Sequence, residues 1–146
     1  MMMTMLRKHN EIVRNCIQVN NGSEIKHTGD GIMAAYMSSS KAVRSALDMQ
    51  KAFSSYRQMQ TNPEIPLHVR ICINAGEPVT EGHDFFGVAV QLSKHLCDLA
   101  DPDQVLISEV VKGLCMGRNF HFSELGAHHV KGISQQVKIF IALGYS

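Results

Sequence analysis

The chain has 146 residues, 45% of them hydrophobic and 18% charged, with 14 Lys and Arg against 13 Asp and Glu, a balance that fits one ordinary globular domain and excludes a long disordered polymer. A net charge of +1, with no run of Lys or Arg, argues against duplex nucleic acid or an anionic membrane surface as a partner held by bulk charge. No apolar stretch approaches the roughly 18 to 20 residues that span a bilayer, and the opening residues turn charged at Arg7 without forming an apolar signal core, so a soluble, cytoplasmic protein is expected.

In chain order, Met5, Leu6, Ile12, Val13, Cys16, Ile17 and Val19 recur near a 3.6 period and predict a helix from Met5 to Val19, ended by Asn20-Asn21-Gly22. Glu24 to Thr28 and Gly31 to Met37 read as two short strands of a hairpin with Asp30 at its tip, where the flanking glycines can take the positive φ of a tight turn. Ser38-Ser39-Ser40 supplies capping hydroxyls for a helix through Ala42, Val43, Ala46, Leu47, Met49, Phe53 and Tyr56, stopping before Pro63. Leu67, Val69, Ile71, Ile73 and Ala75 then alternate with His68, Arg70, Cys72 and Asn74, the period of a strand with one face in the core. Gly76 to His83 reads as a loop or turn.

Phe85 to Ala100 predicts a further helix, closed by Asp101-Pro102-Asp103, and Val105-Leu106-Ile107 a short buried strand. Ser108 is placed to cap a brief helix through Val110, Val111 and Leu114. Phe120 to Leu125 and Val137 to Leu143 are strand candidates joined by the glycine-bearing link Gly126 to Gly132. With no repeat and no low-complexity linker, residues 1–146 read as one α+β domain, helices packed on an antiparallel or mixed sheet.

Cys16, Cys72, Cys97 and Cys115 share no C-x-x-C spacing, and three of them lie in apolar segments. Buried free thiols in a reducing compartment are therefore expected, rather than a disulfide or a zinc site. Of the eight histidines, His128 and His129 would point opposite ways from a strand, and no other pair has helical ligand spacing.

Gly29-Asp30-Gly31 alone says little, since Asp in a glycine-flanked turn usually serves local hydrogen bonds. Its context adds more: Lys26 stands three residues before Gly29, and Asn74-Ala75-Gly76-Glu77-Pro78-Val79 leads through a loop to Asp84-Phe85-Phe86-Gly87. Together with the segment from Ile25 to Tyr36, Val69-Arg70-Ile71-Cys72-Ile73, and Val130-Lys131-Gly132, these ordered motifs give the chain from Leu6 to Leu143 a resemblance to the catalytic domain of class III adenylate/guanylate cyclases. The resemblance implies a ferredoxin-like α+β sandwich on a mostly antiparallel sheet. It also implies head-to-tail homodimers or heterodimers with active sites at the interface, and conversion of a nucleoside triphosphate to a 3′,5′-cyclic nucleotide and pyrophosphate.

By the same resemblance Asp30 is one of two aspartates that hold Mg²⁺ or Mn²⁺, two ions per site. The family's other aspartate precedes its first helix, inside which this chain begins, so the expectation is a domain incomplete at its N-terminus, either truncated or a natural remnant. A sheet position would then be exposed as an edge that invites oligomerisation. Lys26 and Asp84 match the adenine-selecting pattern, an ammonium donor toward N1 and a carboxylate accepting from the exocyclic amine. ATP is thus expected over GTP. Two structural alternatives stand beside this, Lys26 as a solvated strand residue and Asp84 as the N-cap of the following helix. Lys131 resembles the family lysine that meets the triphosphate.

Gln91 and His95 stand where active members carry a ribose-orienting asparagine and a transition-state arginine. Histidine lacks the guanidinium's permanent charge and bidentate fork, and loss of such a cation typically costs several kcal/mol of barrier. The expectation is therefore weak or absent turnover by this chain alone. The alternative is a non-catalytic cyclase-homology module that dimerises or binds nucleotide and regulates a partner.

Overall fold

A computed structural model of the chain describes residues 2–28, 31–60, 66–77, 79–81, 84–130 and 135–146. It begins with helix α1 (Met2–Val19), which buries Ile12, Val13, Cys16 and Ile17. The helix closes as its sequence suggested. Asn21 takes φ 60, Gly22 N–H bonds to the Ile17 carbonyl at 2.8 Å, and Asn21 N–H bonds to that of Gln18 at 3.2 Å, the paired bonds of a Schellman cap with Asn in the left-handed position.

The hairpin follows as β1 (Ser23–Thr28) and β2 (Gly31–Ala35), antiparallel, with a bulge between Glu24 and Lys26. Arg14 on α1 grips Glu24 on β1 with Nε–Oε1 at 2.7 Å and a second bond at 3.3 Å. Helix α2 (Ser39–Met59) starts at Ser38, whose hydroxyl accepts from Lys41 N–H, the cap read from the serine run.

Then come β3 (Ile71–Ile73), β4 (Val79–Glu81), β5 (Asp84–Phe86), α3 (Val88–Leu99), β6 (Val105–Ser108), α4 (Glu109–Leu114), β7 (Phe120–His128) and β8 (Val137–Tyr145). One sheet has the order β3-β6-β8-β7, with β3 and β6 parallel and the other pairs antiparallel; β1–β2 and β4–β5 are separate hairpins. The α+β reading and the mostly antiparallel sheet are borne out.

Because side chains alternate along a strand, the sheet offers two faces. Val105 and Ile107 of β6, with Phe140 and Ala142 of β8, meet Val43, Ala46 and Leu47 of α2 and Val111 of α4. Leu106 and Ile139 point the other way, onto Leu92 and Leu96 of α3. A third cluster joins α1 to Met49 and Phe53 of α2, with Ile32, Ala34 and Ile71 packed against it.

Four expectations need correction. The strand foreseen from Leu67 to Ala75 shrinks to Ile71–Ile73, since the carbonyl of Leu67 is taken by Arg57 and that of Val69 by Gln50 and the Asp103 N–H rather than by a strand ladder. The supposed loop from Gly76 to His83 contains β4, which pairs Val79 with Phe86 and Glu81 with Asp84. The helix expected from Phe85 starts at Val88, because Phe85 and Phe86 belong to that hairpin and Gly87, at φ 117, turns the chain. Finally, Cys72 and Cys97 are disulfide-bonded, their Cα atoms 5.3 Å apart. The packing of α3 on β3 brings them together across 25 residues, which spacing alone does not reveal. Cys16 and Cys115 are buried free thiols as expected.

Candidate active site

Asp30 and Lys131 lie outside the described residues, and of Asp84 the backbone alone is described. The remaining candidates fall on two groups of elements. Lys26 sits half-buried on β1, paired with Met33 just past the bulge; an extra residue in one strand re-aims the side chains beyond it. Strand β1 packs against β5, whose first residue is Asp84. The two proposed base-reading positions thus stand on touching strands, although 58 residues separate them in the chain. Asp84 is not the helix cap: Gly87 holds that position and offers no side chain.

The second group is α3. Gln91 is exposed and His95 half-buried, and four residues of helix put them one turn apart on the same side. Lys94 is exposed and sits about 100° around the helix from His95. The first turn is fixed by Gly87, whose carbonyl accepts from Gln91 N–H at 3.0 Å.

Asn74, which stands in one of the ordered motifs, has a structural role that motif order does not reveal. Its amide Nδ2 donates to the Ala89 carbonyl at 3.0 Å, while its Oδ1 accepts from the Ser108 hydroxyl at 2.6 Å. One side chain thereby joins the end of β3 to the first turn of α3 and to the cap of α4, since Ser108 Oγ also accepts from Val111 N–H. Just beyond, Gly76 approaches so closely that a Cβ there would lie 2.8 Å from that of Ala89. The Cys72–Cys97 bond holds the helix at its other end. An Asn-Ala-Gly run after an alternating strand was the available signal, and it marks a half-buried polar residue at a strand end with tight backbone approach after it.

Among the described residues, no three His, Cys, Asp or Glu side chains gather into a group able to hold a metal ion. No described helix is long and apolar enough to cross a membrane.

Residues 1–144 match the adenylate and guanylate cyclase catalytic domain family. A relative in Rhizobium meliloti (strain 1021), named for adenylate cyclase, is 28% identical over 141 residues, covering 93% of this chain and 23% of that protein. This chain therefore spans about a quarter of that relative's length. A solved adenylate/guanylate cyclase/hydrolase from Silicibacter pomeroyi superposes with TM-score 0.86 at 26% identity, over 98% of this chain and 84% of that one. The adenylyl cyclase CyaB from P. aeruginosa shares the fold with TM-score 0.76 at 21% identity, over 99% and 83% of the two chains. A family match along almost the full length, on a mixed sheet with the same fold, settles the kinship: the chain belongs to the adenylate and guanylate cyclase catalytic domain family.

Proposed function

We propose that this domain converts ATP to 3′,5′-cyclic AMP and pyrophosphate at a site shared by two copies of the chain, with weak turnover by this chain alone. The packing of β1 against β5 carries the reading, because it sets the strand of Lys26 against the strand that begins at Asp84. Lys26 donates to adenine N1 and Asp84 accepts from the 6-amino group, so both edges of the base are read at once. Lys131 meets the triphosphate with a point charge.

From the partner subunit, α3 brings Gln91 toward the ribose and His95 toward the α-phosphate. The 3′-oxygen forms a bond to the α-phosphorus, the bond from that phosphorus to the bridging oxygen breaks, and pyrophosphate leaves; the hydroxyl proton passes to solvent. Charge grows on the phosphate oxygens in the transition state, where preorganised donors matter most. His95, without the permanent charge and bidentate fork of a guanidinium, supplies less of that stabilisation. Asp30 is the carboxylate proposed to bind Mg²⁺ or Mn²⁺, ions that neutralise phosphate charge when bound.

The test incubates the purified chain with ATP or GTP and either metal, with cyclic nucleotide measured by mass spectrometry. Cyclic AMP is expected in excess of cyclic GMP, and His95→Arg should raise the rate by about tenfold or more. Activity on neither nucleotide with either metal, in the native chain and in His95→Arg alike, would refute the enzymatic reading. Gln91 and His95 favour a second reading, a regulatory module. That reading requires nucleotide-dependent association with an active cyclase domain and a change in its rate.

A further inference from the structure

A cleft of about 220 Å³ opens where the chain runs from α4 into β7 and where β8 ends, lined by Arg44, Arg118, Asn119, Phe120, Tyr145 and Ser146. It lies at the Phe120 end of β7; His128, at the other end, is eight residues away, roughly 25 Å along an extended strand. The proposed nucleotide chemistry uses none of these residues.

The lining holds two guanidinium groups and no Asp or Glu side chain, while Ser146 brings the α-carboxylate of the 146-residue chain. Neither Arg44 nor Arg118 forms an ion pair among the described residues. Acidic Asp48 is nearby on α2, but it already accepts from the Tyr145 hydroxyl at 2.5 Å. That bond fixes the ring, and the Arg44 guanidinium carbon stacks over it, 4.9 Å from the centroid, with Lys51 Nζ at 5.5 Å. Stacking leaves the planar edge of the guanidinium, with its N–H donors, free to face a ligand, and little freedom remains to be lost on binding. Phe120 meets the Tyr145 ring edge-on at 6.0 Å and walls the cleft.

Two exposed guanidinium groups lining a pocket of this size suit a compact dianion with several acceptor oxygens, since an arginine can hold such a group bidentately. We propose that the cleft between Arg44 and Arg118 binds the phosphate group of a small phosphorylated molecule, at a site separate from the proposed nucleotide site. The probe is inorganic phosphate, titrated at constant ionic strength into the whole chain and followed by backbone-amide NMR. Saturable shifts are expected at residues 117–120 and 144–146. Arg118→Gln and Arg44→Ala should each weaken binding about tenfold, the loss of one charge-assisted pair.

Arg118 is exposed in a turn, so its variant folds even if removal of Arg44 loosens the Tyr145 ring. Shifts that chloride reproduces at equal ionic strength, or that survive Arg118→Gln undiminished, would overturn the proposal. So would saturation confined to residues 24–26 and 84–95, which would assign the phosphate to the nucleotide site instead.

Discussion

Helix α2 buries seven of its 21 residues, from Ala42 to Phe53, whereas α3, on the opposite face of the sheet, buries two of 12, Leu92 and Leu96. The first is held chiefly by apolar area; the second adds to its smaller apolar contact the Asn74 amide, the close approach at Gly76 and the Cys72–Cys97 bond. Apolar burial is non-directional and scales with area, so it fixes the fold without fixing fine orientation. Hydrogen bonds and a covalent link are directional. The helix carrying Gln91 and His95 is therefore seated by devices that can be removed one at a time without dismantling the core.

Removing core area should have the largest effect. Phe53 is fully buried between α1 and α2, and Phe53→Ala should lower the unfolding free energy by about 3–5 kcal/mol, read from the urea midpoint. A shift below about 1 kcal/mol would mean that α2 is not held chiefly by packing.

Reduction of Cys72–Cys97 comes next. It opens a loop of 25 residues, which loop-closure entropy values at roughly 3.5 kcal/mol. Hydrogen exchange should quicken along α3 while α2 stays protected. Equal quickening in both helices would erase the distinction.

Asn74→Ala deprives the buried Ser108 hydroxyl of its acceptor and removes the side-chain donor to the Ala89 carbonyl, at a cost of about 1–3 kcal/mol. Adding Ser108→Ala should cost less than the sum of the two single changes, since both act on one network. Strict additivity of the melting data would contradict that link.

The smallest effect comes from pH, and it should act on the α2 side. Burial raises the Cys16 and Cys115 thiols above their ordinary 9.0 and the Tyr36 phenol above 10.0, while Tyr145 is raised chiefly by its bond to Asp48. All four belong to, or pack against, the clusters on the α2 face or beside α1. Each folded value lies above the unfolded one, so the folded chain keeps protons that the unfolded chain releases. This stability is fully present below about pH 9 and is lost as pH climbs through 9 to 10 and beyond. Melting temperature should therefore fall between pH 8 and 10.5, and Cys16→Ala with Cys115→Ala should flatten the slope. A rising melting temperature would reverse the sign.

The same contrast explains what the sequence could disclose. Helix α2 was legible because a 3.6 period and the Ser38 cap are local, and the β1–β2 hairpin because its turn residues are. The first turn of α3 was not: Phe85-Phe86 fits a helix or a strand equally well by period, and the choice is made by pairing with β4 across residues that look like loop. The Cys72–Cys97 bond and the Asn74 clamp depend on which face of β3 meets α3, a tertiary fact. Lys26 and Asp84 were named from motif order; that their strands touch follows only from how the two hairpins pack.

The most direct measurement is a crystal structure of the chain with a non-hydrolysable ATP analogue and Mn²⁺. The expected result is two chains head to tail, Lys26 and Asp84 of one on the adenine, Asp30 on the metal, and Gln91 and His95 of the partner subunit on the ribose and α-phosphate. Nucleotide held within a single chain, or held away from Lys26 and Asp84, would contradict it.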